Sequence, residues 1–126
     1  MPALLLVMAG GAIGAGFRYH VGAAALRNLG PGFPWGTWIV NLVGGMLIGL
    51  LVGTLARSPS DAGEPLRLFL GVGVLGGFTT FSAFSIEMWA MLARGEHASA
   101  LAYALSSVAG SILMVGVGLW LARLFA

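Results

Sequence analysis

The chain has no cysteine and no lysine, and only 8% of its 126 residues are charged. The missing cysteine excludes disulfides and thiolate metal sites. The scarcity of charge excludes more, because a soluble domain carries about 25% charged and about 45–50% apolar residues. Here 59% are hydrophobic, and the mean hydropathy is +0.98. Six Arg stand against four acids, but singly along the chain rather than in the clustered footprint of a nucleic-acid binder, so no nucleic-acid partner is expected. The two His lie outside the central spans and cannot complete a set of nucleophile, base and orienting group, so no enzyme is expected. These lacks leave an all-α integral membrane protein with the lipid membrane as its surroundings.

Four apolar spans cover the chain as one domain, residues 1–126: Ala3 to Ala25, Thr37 to Ala56, Leu66 to Ala93 and Ala98 to Leu124. Each reaches the roughly 20 residues that cross a hydrocarbon core. The connections between them carry the helix breakers, Gly30 to Pro34, Arg57 to Pro65 and Arg94 to His97. The first span lacks the positively charged start of a secretory leader and is expected to stay as a helix.

The third span departs from a plain helix. From Leu66 to Arg94 a continuous helix would extend about 43 Å, against a hydrocarbon thickness of about 30 Å. Its centre reads Gly76-Gly77-Phe78-Thr79-Thr80-Phe81. Gly is a poor helix former and readily takes other backbone angles, so a break near the middle is expected at Gly76-Gly77. Irregular backbone at that depth is tolerated only where protein buries it or an aqueous path passes it. Broken helices expose carbonyls and helix ends, the ingredients of ion sites in transporters.

Charge placement barely chooses an orientation. With both termini on one side, Arg57, Arg67 and Arg123 share it and Arg27 and Arg94 lie opposite, with Arg18 inside the first span. A bias of one Arg is weak under the positive-inside rule, so the chain is expected to insert both ways. Gly45, Gly49 and Gly53 recur at four-residue intervals, as do Gly10 and Gly14, and such small-residue faces let helix backbones approach closely.

Three fragments, Gly10 to Tyr19, Gly36 to Gly44 with Asn41, and Gly76 to Ser85 followed by Glu87, fall on the first three spans in order. In that order and spacing the chain resembles the small bacterial fluoride channels of the Fluc (CrcB) family over its whole length. The resemblance implies a bacterial inner-membrane protein that forms an antiparallel, dual-topology homodimer. It would have two pores for passive fluoride export and a structural sodium ion at its centre.

Each polar residue also has an ordinary reading. Asn41, one turn after Thr37, is by spacing interhelical glue; by resemblance its amide donates to fluoride. Tyr103, Ser107 and Ser111 recur every four residues on the fourth span as a stripe of hydroxyls. Each Ser could bond back to its own helix, but the resemblance makes the stripe a polar track. Phe81 and Phe84 are ordinary packing residues by type and pore phenylalanines by resemblance, where electropositive ring edges meet the anion. The resemblance also gives the sodium to the carbonyls of Gly76 and Thr79, and groups Glu87 with the hydroxyls of Thr37 and Ser82 at ion entry. Arg18 either draws anions inward or snorkels to headgroups, and the sequence does not separate these. The rival class is a small proton-coupled multidrug or guanidinium exporter, which needs a titratable group inside the membrane; Glu87 is the candidate.

Overall fold

A computed structural model describes residues 2–57 and 63–125. Residues 58–62 of the second connection lie outside the described residues. The described architecture is all-helical: α1 (Ala3–Leu29), α2 (Trp35–Arg57), α3 (Gly63–Leu66), a π-helical stretch (Arg67–Leu75), α4 (Gly76–Phe78), α5 (Ser82–Ala93) and α6 (His97–Leu124). Taken as Gly63–Ala93, the third span is 31 residues long, and the four helical spans have mean hydropathies of 1.3 to 2.1. By length and composition all four can cross a membrane. The large apolar side chains at Leu4, Ile13, Trp89, Leu113 and Trp120 point outward, as lipid requires.

Local chemistry sets the ends. Gly30 closes α1 at φ 79 and donates to Leu26 O, and Pro31 follows. At the end of α5, Gly95 takes φ 78, Gly95 N donates to Leu92 O and Glu96 N to Met91 O. That is the left-handed cap which satisfies the last carbonyls of a helix.

Glycine decides how the helices pack. α2 lies against α6, and α1 against the first half of the third span. A Cβ on Gly45 would stand 2.7 Å from Ser111 O, and one on Gly49 would land on Val115 O. Those contacts repeat every four residues, so backbone meets backbone along the seam. Gly10 and Gly14 face the carbonyls of Phe69 and Val74 with equally little room. Side chains fill the other end, where buried Met91, Ala100 and Tyr103 pack with Phe33, Trp38, Phe84 and Met88.

The third span is broken, but not where the glycine pair suggested. Gly76 and Gly77 are helical, Gly76 at φ −63 and ψ −38. The helix ends after Phe78, with Thr79 extended at φ −85 and ψ 158. A Cβ on Gly77 would stand 2.5 Å from Gly11 O, so this glycine serves close packing on α1 rather than the break.

Candidate functional site

The break leaves polar backbone atoms without helical partners, and neighbouring helices supply replacements. Asn41 of α2 accepts from Thr80 N at 2.9 Å through Oδ1 and donates to Thr80 O at 3.0 Å through Nδ2. Both faces of one peptide residue are thereby held by one side chain, and one of the two amide N–H groups of Asn41 is left over from that pairing. On the far side, Thr80 Oγ1 accepts from Ala83 N at 3.2 Å, a cap for the first turn of α5. Leu75 O accepts twice, from Thr79 N at 3.0 Å and from Thr79 Oγ1 at 2.9 Å.

This exchange of partners frees a carbonyl. In a continuous helix Thr80 N would donate to Gly76 O, but Asn41 has taken that N–H. Gly76 is exposed, and Thr79, extended, turns its own carbonyl out of the helical ladder. Both are neutral oxygen donors of the kind that suits a hard cation. Among the described residues, His, Cys, Asp and Glu form no metal-binding cluster.

Beside the break lies a groove of about 600 Å³, bounded by α2, the third span and α6. Asn41, Gly76, Thr79, Phe81, Phe84, Ser107 and Ser111 all line it. Phe81 is 77% exposed, so within one chain it has almost nothing to pack against. Its ring centroid is 5.6 Å from that of Phe84, which in turn lies 5.0 Å from that of Tyr103. Ser107 Oγ is buried and has no hydrogen-bond partner among the described residues. It therefore does not bond back to its own helix, whereas its neighbour Ser106 does so to Tyr103 O at 3.3 Å.

A second cluster sits beyond Phe84. Glu87 accepts from Thr37 Oγ1 at 3.0 Å and from Tyr103 OH at 2.9 Å, so α2, α5 and α6 meet on one carboxylate. Ser82 is not part of it. That residue is exposed and pairs with Thr80 Oγ1 at 3.3 Å, because it opens α5 more than a turn before Glu87. The stripe on the fourth span is likewise divided, Tyr103 going to Glu87 and Ser107 and Ser111 to the groove.

Several contacts had no signal in the sequence beyond a polar residue at membrane depth. Trp38 Nε1 donates to Ser106 Oγ at 3.0 Å and ties α2 to α6. Arg18 Nε donates to Gly77 O at 3.0 Å, part-buried, and ties α1 to the third span. The pairing of Asn41 with Thr80 is of the same type. In each case the rule that a polar group in hydrocarbon must find a partner predicts that a bond exists but not to which atom.

Comparison with known proteins agrees with the architecture. Residues 5–119 match the family model described as CrcB-like protein, Camphor Resistance (CrcB). A relative from Sphingopyxis alaskensis is 54% identical over 123 residues, covering 98% of this chain and 97% of the relative. One from Chelativorans sp. is 58% identical over 120 residues, covering 95% of each. One from Phenylobacterium zucineum is 54% identical over 123 residues, covering 98% of this chain and 97% of the relative. All three are named fluoride-specific ion channel FluC. With four helices able to span a bilayer, the chain is a multi-pass membrane protein.

Proposed function

The chain belongs to the CrcB family, and from that premise we propose that it is a fluoride-specific channel which lets fluoride leave a bacterial cell across the inner membrane, passively, down its gradient. The observation that carries the reading is Ser107: a buried hydroxyl without a partner, lining the same groove as Asn41, Phe81 and Phe84. An unpaired buried hydroxyl costs about 1–3 kcal/mol, a cost a passing hydrogen-bond acceptor removes. Fluoride is small and strongly hydrated, so its path must replace water with donors yet hold the ion weakly enough for release.

The spare amide N–H of Asn41, the hydroxyls of Ser107 and Ser111, and the edges of Phe81 and Phe84 form such a path. Ring edges attract an anion without the full charge that would trap it. Glu87, with Thr37 and Tyr103 donating to it, marks the outer end of the path, and Ser82 lies near the break. The rival exporter would need Glu87 free to exchange protons, and relatives matched over at least 95% of this chain bear the channel name instead.

The working unit in this proposal is an antiparallel homodimer with two pores. Support comes from the groove, which lacks a wall in one chain and leaves Phe81 exposed, and from the one-Arg charge bias. A structural sodium ion fits the same unit: Gly76 and Thr79 offer two neutral carbonyls per chain, too few for a hard cation until a second copy adds its own. Bound there, the ion would be held by the carbonyls of Gly76 and Thr79 and would supply fixed positive charge beside the break.

The test is efflux from liposomes holding purified protein, with fluoride and chloride inside. Fluoride should leave passively and chloride should stay. Equal release of both ions, or release only with a proton gradient, overturns the reading. Topology is read with a single Cys placed in the loop from Arg94 to His97, since the chain has none of its own. Labelling from both faces is expected; labelling from one face in an active protein removes the antiparallel dimer.

A further inference from the structure

We propose that Arg18 is a positioning residue that caps the first half of the broken third span and so determines which of its carbonyls stay open. Gly10, Gly14 and Arg18 follow one another at four-residue steps on one face of α1. The two glycines press against the backbone of Phe69, Gly73, Val74 and Phe78, which carries Arg18 one turn further, to the level of the break. There its Nε donates to Gly77 O at 3.0 Å, part-buried.

That carbonyl is an orphan of the break. In a continuous helix it would accept from Phe81 N, four residues on, but the chain turns away at Thr79. Carbonyls at a helix end carry partial negative charge, and a cation is stabilised beside them. The charge of Arg18 has no other compensation in sight. The ion pairs among the described residues are Arg67 with Glu64 and Arg94 with Glu96. An arginine inside a span pairs with backbone carbonyls when no acid is present.

Arg18 and Asn41 thus hold the break from opposite sides, one from α1 through Gly77 O and the other from α2 through Thr80. With Gly77 O occupied by Arg18 and Leu75 O by Thr79, the carbonyls left open at the helix end are those of Gly76 and Phe78. The bond geometry, rather than the charge, is what this role requires.

Three substitutions at Arg18 separate bond from charge. In Arg18→Gln the amide nitrogen hangs from Cδ, as Nε does in arginine, so the donor is kept and the charge removed. Arg18→Met places a methyl there and removes both. Arg18→Lys keeps the charge but moves the donor one bond outward. The readouts are fluoride efflux and amide hydrogen exchange of the peptide covering Gly76 to Ala83. A cap predicts that Arg18→Gln stays within about threefold of the parent in both, while Arg18→Met loses about tenfold or more of the flux and exchanges faster across the break, as leaving a part-buried carbonyl without its donor implies.

If Gln and Met lose flux equally with exchange unchanged, the charge acts on the ion and the cap is wrong. If both behave as the parent, Arg18 has no role at the break. Should the Met variant fail to assemble, Lys decides: function kept in Lys and lost in Gln overturns the cap, and the reverse supports it. The flux readout rests on the proposed channel function, whereas exchange does not. A parent protein that moved no fluoride would sink that function and leave the cap testable.

Discussion

The half of the third span that ends at Phe78 meets α1 through backbone, with Gly10, Gly14, Gly73 and Gly77 leaving no room for a Cβ between them. The half that begins at Ser82 is held by side chains, Glu87 receiving Thr37 and Tyr103, and Phe84 lying against Tyr103. Backbone contact fixes a position closely and tolerates no added atom, since packed interiors have little free volume. Side-chain hydrogen bonds hold more loosely and leave polar atoms available to exchange partners. The proposed channel needs both properties, a rigid wall to set the path and adjustable groups along it. Between the halves, Asn41 binds Thr80 through donor and acceptor at once, so the join belongs to neither regime.

The comparison breaks most visibly at the backbone seam. Gly14→Ala would place a methyl on Val74 O and 2.8 Å from Phe78 N, and neither atom can retreat without moving the helix. Overpacking of this kind costs about 1–3 kcal/mol and occasionally more, and here, where only backbone could yield, loss of the assembled protein is expected on size-exclusion chromatography. Gly16→Ala is the control, because nothing lies within 4 Å of its added atom; it should assemble normally. Equal behaviour of the two variants would mean that α1 is not seated by glycine.

The join comes next. Asn41→Asp can still accept from Thr80 N but cannot donate to Thr80 O, and it sets a negative charge beside the groove. Losing one bond and facing oxygen with oxygen costs about 1–3 kcal/mol, and the charge repels an anion besides. Fluoride efflux should fall by about a hundredfold or more while the protein still folds and purifies as the parent does. Undiminished efflux would remove Asn41 from the path.

These two sites also mark how far the sequence could be read. Hydrophobic run length alone placed the four spans to within a few residues: Ala3 to Ala25 extends to Leu29, and Thr37 to Ala56 widens to Trp35–Arg57. Run length is a property of each segment separately, so it survives the lack of any tertiary information. The break is different. Gly76-Gly77 marked the right neighbourhood, but glycine is used both where a helix bends and where two helices touch, and these carry the same letter. Gly77 belongs to the second kind, and the true break at Thr79 is fixed by Asn41, a residue on another helix. The π-helical stretch Arg67–Leu75 left no mark in the pattern either. The resemblance groups Ser82 with Glu87, and within one chain more than a turn of α5 separates them.

The side-chain half is expected to yield a smaller and separable effect. Phe81→Ile keeps apolar bulk but removes the ring edge, and with Phe81 77% exposed the subunit core does not depend on it. Flux should drop by up to about tenfold, in line with an interaction of about 0.5–1.5 kcal/mol, with the thermal midpoint nearly unchanged. Phe84→Ile should lower flux and stability together, because that ring also lies 5.0 Å from Tyr103. If Phe81→Ile conducts normally but fails to dimerise, the ring is structural and the path runs elsewhere.

The smallest effect sharpens the comparison by extending it past the membrane. Glu96, just before α6, accepts from Arg94 Nε at 3.0 Å and from Arg94 Nη2 at 3.2 Å. The hydrogen bond from Arg94, helped by its charge, holds the Glu96 carboxyl below its ordinary value of 4.5. A depressed carboxylate stabilises the fold above its unfolded pKa, and that contribution disappears as the pH falls through the folded value. At 55% and 41% exposure, however, water screens the pair, and exposed ion pairs contribute almost nothing. Glu96→Gln should therefore nearly match the parent in thermal midpoint and fluoride flux at pH 7, and the small difference that exists should vanish as the pH falls below the ordinary carboxylate range. The Glu96 pair and the Glu87 cluster are then carboxylates of one helix and its loop with opposite weight. A Glu96→Gln loss at pH 7 as large as that of Asn41→Asp would show that the loop, and not the break, governs the channel.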